Sequence, residues 1–308
     1  MSQLVTIFGG SGFVGRYIAR RMAKAGWRVR VAVRRPNEAM FVKPYGVVGQ
    51  VEPVFCNIRD DASVSAAMSG SDAVVNCVGT FEAGGANNFD AVQAEGAERI
   101  ARIAASTNVE RMVHISAIGA SADSESEYQK SKAAGEAGVL KHMPNAMILR
   151  PSVVFGPEDA FYNRFASMAA MSPMLPLIGA NTKFQPVYVD DVAQAAVIGV
   201  LDGVGGIYEV GGPNAATFRE LMQEMLTVIE RRRLIVDIPF FAGSALAVAT
   251  GLGKVLTLGI LPQPVTSDQV VSLRYDNVVG EGANGVIPRS PRVLAPSPTT
   301  LSYRNETT

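Results

Sequence analysis

The sequence predicts an α/β fold: a doubly wound parallel sheet with a smaller α+β lobe toward the C-terminus. Three observations carry this reading. Residues 3–150 alternate short apolar runs of strand length with stretches of helical spacing. Inner runs such as Ala73-Val74-Val75 and Met147-Ile148-Leu149 are apolar throughout, as strands covered on both faces are. The first run, Leu4 to Phe8, passes directly into Gly9-Gly10-Ser11-Gly12-Phe13-Val14-Gly15, a glycine-rich turn from strand to helix. With 308 residues, 48% of them hydrophobic, the chain can bury one large domain or one domain with a smaller appendage.

Strands are predicted at 3–8, 28–33, 51–55, 72–76, 111–115 and 145–149, and helices at 13–25, 61–69, 89–106 and 126–141. After Gly12, Phe13, Val14, Ile18 and Met22 fall on one helical face, so the glycines sit where the first strand becomes a helix. Gly9 permits the tight turn, Gly12 lets backbone approach a pyrophosphate, and Gly15 lets helix and strand pack closely. The free N–H groups and positive dipole end of that helix complete a dinucleotide site of the Rossmann type, with Gly9, Gly10, Ser11, Gly12, Phe13, Val14 and Gly15 around the phosphates. A purely steric glycine turn is the alternative, and the strand before it and helix after it argue against that.

The second strand ends in Arg34-Arg35, where a site for NAD would place a carboxylate against the ribose 2′-hydroxyl. A guanidinium there suits a 2′-phosphate, so the expected cofactor is NADP(H); the alternative is a pair of solvated loop charges. At the ends of the third and fourth strands, Asn57 and Ile58 are placed to flank the adenine, and Val78 and Gly79 to approach ribose and diphosphate. Either loop read alone is equally an ordinary turn. The fifth strand leads into Ser116, and downstream Tyr128 and Lys132 lie four apart on one helix face. An ammonium beside a phenol lowers the phenol's pKa and reaches sugar hydroxyls.

Lys plus Arg and Asp plus Glu number 28 each, and a zero net charge gives no support to nucleic-acid binding. Cys56 and Cys77 fall at the ends of strands that are not neighbours in the order 3-2-1-4, which predicts reduced thiols. His114 and His142 lack metal-ligand spacing, so no metal site is expected. The first strand begins within a few residues of Met1, from which no signal or transit peptide is expected, and no stretch has the length of a membrane span.

From residue 158 the alternation breaks. A helix is expected over 161–174, a strand near 184–188, a helix over 190–201, a strand over 207–210 and a helix over 218–229. The domains so drawn are a nucleotide domain over 1–157 to which 184–230 partly returns, a smaller lobe from 158–183 and 231–279, and an irregular tail over 280–308. Glu230-Arg231-Arg232-Arg233 reads as a solvated helix end or as a surface for phospholipid headgroups or an acidic partner. Residues 239–261 are apolar but for Lys254, which suits either a core helix or a face against a partner or bilayer surface. Thr266 to Leu273 has an N-cap-like start and a short helical pattern.

Taken together, Gly9-x-x-Gly12-x-x-Gly15, Asn76-x-x-Gly79, Tyr128-x-x-x-Lys132, Leu149-Arg150-Pro151-Ser152-Val153-Val154-Phe155-Gly156-Pro157 and Val187-Tyr188-Val189-Asp190-Asp191-Val192-Ala193 resemble the extended or atypical short-chain dehydrogenase/reductase superfamily over about residues 3–230. The resemblance implies that Tyr128 is the general acid/base, Lys132 binds ribose, Ser116 orients a carbonyl, and the stretch holding Pro151 and Val153 contacts nicotinamide. Two positions depart from the pattern. Where many members carry a motif resembling Asn-Val-x-Gly-Thr, this chain has Gln93-Ala94-Glu95-Gly96-Ala97, and Ser116-Ala117 stands where many have a serine pair, setting Ser116 one position from the catalytic serine. Under those departures Tyr128 and Lys132 persist as cofactor contacts.

The glycine turn, His114-Ile115-Ser116-Ala117 and residues 239–279 are similar to the Rossmann-fold accessory subunits of respiratory complex I, the proton-pumping NADH:ubiquinone oxidoreductase. That resemblance implies a tightly held structural NADP(H) without turnover, partners among the other subunits of complex I, and membrane-surface contact through 239–261. The place implied is the cytoplasmic face of a bacterial inner membrane, or the matrix side of a mitochondrial one. Two alternatives stand beside it: a free NADP(H)-dependent reductase or epimerase acting on a small carbonyl or sugar-nucleotide, and a redox-sensing regulator that binds nucleotide and then a partner.

Overall fold

The computed structural model describes residues 2–80, 85, 87–245 and 266–280. The N-terminal half runs β1 (Leu4–Phe8), α1 (Phe13–Lys24), β2 (Arg28–Val33), β3 (Val51–Phe55), α2 (Asp61–Met68), β4 (Ala73–Asn76), α3 (Glu95–Ser106), β5 (Arg111–Ile115), α4 (Glu127–His142) and β6 (Met147–Pro151). Every strand and helix expected before residue 150 is present. A 3₁₀ stretch, Pro36–Tyr45, was not foreseen, because its Pro36 and Pro44 read as loop punctuation. A π-helical turn, Asp90–Ala94, precedes α3 within the expected helix.

After β6 come β7 (Val154–Phe155), α5 (Tyr162–Met171), β8 (Met174–Ile178), β9 (Lys183–Phe184), β10 (Val187–Tyr188), α6 (Val189–Asp202), β11 (Gly206–Val210), β12 (Ala216–Thr217), α7 (Phe218–Val228) and β13 (Leu234–Ile238). The helix expected to reach Met174 stops at Met171, since the residue before Pro173 is pushed out of helical geometry and Ser172 turns extended. The single strand expected near 184–188 divides into β9 and β10 around Gln185-Pro186, where proline has no N–H for a ladder. A short helix, Ser267–Ser272, begins at Thr266 with a full capping box. Of the apolar stretch 239–261 only 239–245 fall within the described residues, and the tail from 281 lies outside them.

Seven strands form one sheet in the order β11-β6-β5-β4-β1-β2-β3, every neighbour parallel. The expected order 3-2-1-4 is present at one edge, and Cys56 and Cys77 follow strands separated by β2 and β1. Both cysteines are free; Cys56 is buried and Cys77 half-buried. One face of the sheet is covered by α1 and α6, with Ile18, Met22, Val192 and Ala196 in its core. The other lies under α2, α3 and α4, with Val64, Met68, Ile100 and Val139 fully buried. Burying such side chains stabilises by about 1.5–3 kcal/mol each relative to leaving them exposed. β11 completes the seven-stranded sheet and α6 covers it, while α5, α7, β8 and β13 gather a separate core around Phe161, Phe165, Phe184 and Phe218. Among the described residues no helix is long and apolar enough to cross a membrane.

Candidate functional site

The order β4-β1 marks the point where the chain reverses direction across the sheet, and the crevice outside those strand ends is where such folds place ligands. Gly9 turns there with φ of 73°, a left-handed conformation that glycine adopts without strain. Its N–H donates to Ala32 O at 3.0 Å, and Gly12 N–H donates to Gly9 O at 2.9 Å, fixing the turn against β2. Any side chain at Gly15 would collide with Gly9 O, so α1 can start only over bare backbone. No side chain caps the first turn of α1, and no acidic residue lies in it. Among the described residues its leading N–H groups and dipole therefore have no capping side chain to neutralise them. Arg16 braces the turn, donating to Ser11 O at 3.1 Å and Gly12 O at 3.2 Å, with its guanidinium 4.8 Å above the Phe41 ring.

The loop after β4 closes on this turn. A Cβ at Gly9 would lie 3.3 Å from Val78 Cγ2, so Val78 meets the glycine turn directly. Asn76 holds the loop, its oxygen accepting from Val78 N–H at 3.0 Å and its amide donating to His114 Nδ1 at 3.1 Å. Burial pushes the His114 ring down to about 3, which keeps it neutral and accepting at that nitrogen. Burial also pushes the Cys77 thiol up to about 12, so it is no thiolate nucleophile at neutral pH.

Gly79 comes next, exposed, and a Cβ there would sit 3.4 Å from Lys132 Nζ. Lys132 is buried on α4, donates to Ile115 O at 3.2 Å, and is drawn down to about 8 by burial, with Glu136 and Cys77 opposing. Its ammonium lies 5.9 Å from the centroid of the Tyr128 ring, which stands edge-on to Phe89 at 5.9 Å. The expected pair is thus assembled on one helix face beside Gly79. The Tyr128 phenol is nonetheless held well above its ordinary range, by burial first and by the Asp268 carboxylate second.

Ser116 is placed differently. It is buried, and its hydroxyl bonds to Glu136, whose carboxylate takes two hydrogen bonds from Arg150 at 2.9 and 2.6 Å. The hydroxyl is committed to the buried, ion-paired Glu136, one turn beyond Lys132. Arg34 is exposed at the end of β2 and forms no ion pair among the described residues, whereas Arg35 pairs with Glu38 at 3.0 Å. Asn57 Oδ1 accepts from Arg59 N–H at 3.2 Å in a tight turn, and Ile58 rests its Cδ1 over Gly96 on α3, so its side chain serves the α3 side of the sheet. Pro151 is buried at the end of β6, and Val153 borders the phenylalanine core.

Two residues of consequence escape sequence reading as ligand or site residues. Gln93, which the sequence shows only as a departure from a motif, is buried beside Gly79, and its Oε1 has no partner among the described residues. Asp268 accepts from Ser126 Oγ at 2.9 Å, Glu127 N–H at 2.7 Å and Tyr128 N–H at 3.2 Å, capping the helix that carries Tyr128 and Lys132. The bare α1 terminus, the side-chain-free approach at Gly9 and Gly79 and the buried ammonium together fit a diphosphate flanked by sugars. Among the described residues no cluster of metal-ligating side chains occurs.

The model of the NAD dependent epimerase/dehydratase family matches residues 5–211. The chain is 35% identical over 288 residues to the Arabidopsis thaliana mitochondrial NADH dehydrogenase [ubiquinone] 1 alpha subcomplex subunit 9, covering 91% of this chain and 72% of that protein. It is 34% identical over 227 residues to the protein of the same name from Dictyostelium discoideum, covering 72% of this chain and 63% of the relative's length. It is 29% identical over 238 residues to a ceramide reductase of Caulobacter vibrioides, covering 77% and 74%. Among solved structures, the Bordetella bronchiseptica enzyme WbmH in complex with NAD+ shares the fold at a TM-score of 0.65 and 19% identity, over 77% of this chain and 86% of that one.

Proposed function

We propose, for a chain that belongs to the NAD dependent epimerase/dehydratase family and to the same line as the alpha subcomplex subunit 9 proteins, that it serves as an accessory subunit of respiratory complex I holding NADP(H) as a structural element. The observation that carries the reading is the contrast inside one site. The glycine turn, the uncapped start of α1 and the Lys132 ammonium beside Gly79 suit a dinucleotide, while the Ser116 hydroxyl expected to orient a carbonyl is bound to Glu136. Likeness to the Arabidopsis subunit runs through 91% of the chain, past the nucleotide domain and into the smaller lobe, which supports the accessory-subunit reading over a shared fold alone.

In this reading the leading N–H groups of α1 and the backbone from Gly9 to Gly15 take the diphosphate, Val78 and Gly79 let a ribose approach, and Lys132 donates to its hydroxyls. Arg34 takes the 2′-phosphate that distinguishes NADP(H), its guanidinium being exposed and without an ion-pair partner among the described residues. The nicotinamide group supplies hydride chemistry wherever it is bound, and here the half-buried Tyr128 is kept protonated by its surroundings. Bound nucleotide stabilises the folded chain by mass action. The chain would sit peripherally on the soluble side of the membrane, cytoplasmic in a bacterium or matrix-side in a mitochondrion, with the apolar stretch 239–261 toward the other subunits and the bilayer surface.

The test is the nucleotide content of the chain purified without added cofactor. Near-stoichiometric NADP(H) after gel filtration supports the proposal; NAD(H) alone, or no nucleotide, contradicts it. A second reading, a free NADPH-dependent reductase or epimerase, is favoured by Tyr128 and Lys132 standing together and by the likeness to the Caulobacter reductase. It expects NADPH oxidation with a carbonyl or sugar-nucleotide substrate that Tyr128→Phe abolishes.

A further inference from the structure

Gln93 lies in the π-helical turn Asp90–Ala94, and such one-turn bulges frequently mark functional positions. The turn is fixed from two sides. Its backbone carbonyl at Gln93 presses so closely on α4 that only glycine fits at position 135, and the side-chain Nε2 donates to Thr80 O at 3.1 Å. With the amide nitrogen so committed, the orientation of Oε1 is set. That oxygen is out of contact with solvent and has no hydrogen-bond partner among the described residues, on a residue 1% exposed. Buried acceptors are almost always satisfied, and each exception requires a reason.

The position of the orphan supplies one. A Cβ built at Gly79 would lie 3.8 Å from Gln93 Oε1 and 3.4 Å from Lys132 Nζ. An acceptor and an ammonium donor therefore lie near the same point of the loop, not bonded to each other. Lys132 has three donors and donates to Ile115 O. A group joining the two must accept from the ammonium and donate to the amide oxygen at once, which a hydroxyl does and a phosphate or carboxylate oxygen does not.

We propose that Gln93 is a ligand-positioning residue of the nucleotide site, its Oε1 accepting a hydrogen bond from a hydroxyl of the ribose that Lys132 grips from the other side. The inference rests on the nucleotide-binding reading above and assigns a role to the residue standing where the family motif has asparagine. The amide thereby selects for an intact sugar, and the acceptor is satisfied only in the nucleotide-loaded chain.

The test compares the dissociation constants of NADPH and of analogues lacking the 2′- or the 3′-hydroxyl on the nicotinamide-side ribose, in the full-length wild type and in Gln93→Met and Gln93→Glu. One neutral hydrogen bond corresponds to about a 3- to 10-fold preference. The wild type should prefer NADPH over one of the deoxy analogues by that factor, Gln93→Met should lose the preference, and Gln93→Glu, which keeps an acceptor, should retain it. A preference undiminished in Gln93→Met overturns the assignment and leaves the orphan to a bridging water. Should Gln93→Met not fold, equal wild-type affinity for NADPH and both analogues overturns it as well. A wild type that binds no NADPH overturns the nucleotide reading itself, an outcome distinct from a binding protein indifferent to the hydroxyls.

Discussion

At the scale of single residues, the account turns on which polar groups are already engaged. Ser116 serves the buried Glu136 carboxylate paired with Arg150, so Ser116→Ala is expected to lower stability by about 1.5–3 kcal/mol, the worth of a hydrogen bond to a charged group, and to leave nucleotide retention unchanged. Urea denaturation with a nucleotide assay separates the two; loss of bound nucleotide without loss of stability would return Ser116 to the ligand site. Arg34 is free to act, and Arg34→Asp replaces attraction by repulsion toward a 2′-phosphate. At least about a ten-fold loss of NADPH affinity, with NADH affinity little changed, is expected from titration, and an equal loss for both would remove Arg34 from the phosphate. The glycine turn and the Tyr128–Lys132 spacing were legible because each expresses a local rule, a left-handed turn or a helix face. The partner of Ser116 was not, since Glu136 and Arg150 meet it only through the packing of α4 against β5 and β6.

At the scale of elements, α1 and α4 show opposite solutions to the same problem. Both begin at the ligand crevice, and α1 leaves its leading N–H groups uncapped where a phosphate would meet them. Helix α4 is capped twice, by Ser126 from its own chain and by Asp268 from the short helix Ser267–Ser272. The sequence suggested an N-cap at Thr266 and a short helix after it, which the structure contains. That Asp268 would then cap a helix about 140 residues earlier has no local signature, so it could not be read from spacing. Asp268→Ala is expected to cost about 1–2 kcal/mol through the lost cap and dipole interaction, and to bring the Tyr128 phenol down toward its ordinary range. Denaturation and ultraviolet titration of tyrosine measure the two effects; a variant unchanged in both would show that the cap carries no load. The division of β9 from β10, by contrast, does have a local signature, in Pro186.

At the scale of the whole molecule, the segment after residue 266 ties the smaller lobe to the nucleotide domain. Asp276 accepts from Lys183 N–H at 2.8 Å, Asn277 O and Oδ1 accept from Ser152 Oγ at 2.9 and 2.7 Å, and Gly280 N–H donates to Glu209 at 2.8 Å. Ser152 directly follows Pro151, so the strand end read as facing nicotinamide is also an anchor for the C-terminal segment. The nucleotide domain was legible almost element by element, because a parallel sheet writes apolar runs and its helices write their spacing. The smaller lobe was less so: its strands are two to five residues long and take their pairing from distant partners, as β8 does from β13. Under the accessory-subunit proposal, a nucleotide held at the centre of this arrangement would stiffen the scaffold and leave the outer lobe to meet other subunits. The measurement that tests this most directly is a native gel of a mild-detergent membrane extract, stained for NADH dehydrogenase activity and probed for this chain. The account expects the chain in the active complex I band; finding it only as a small soluble species would contradict the accessory-subunit reading and leave the free reductase as the working description.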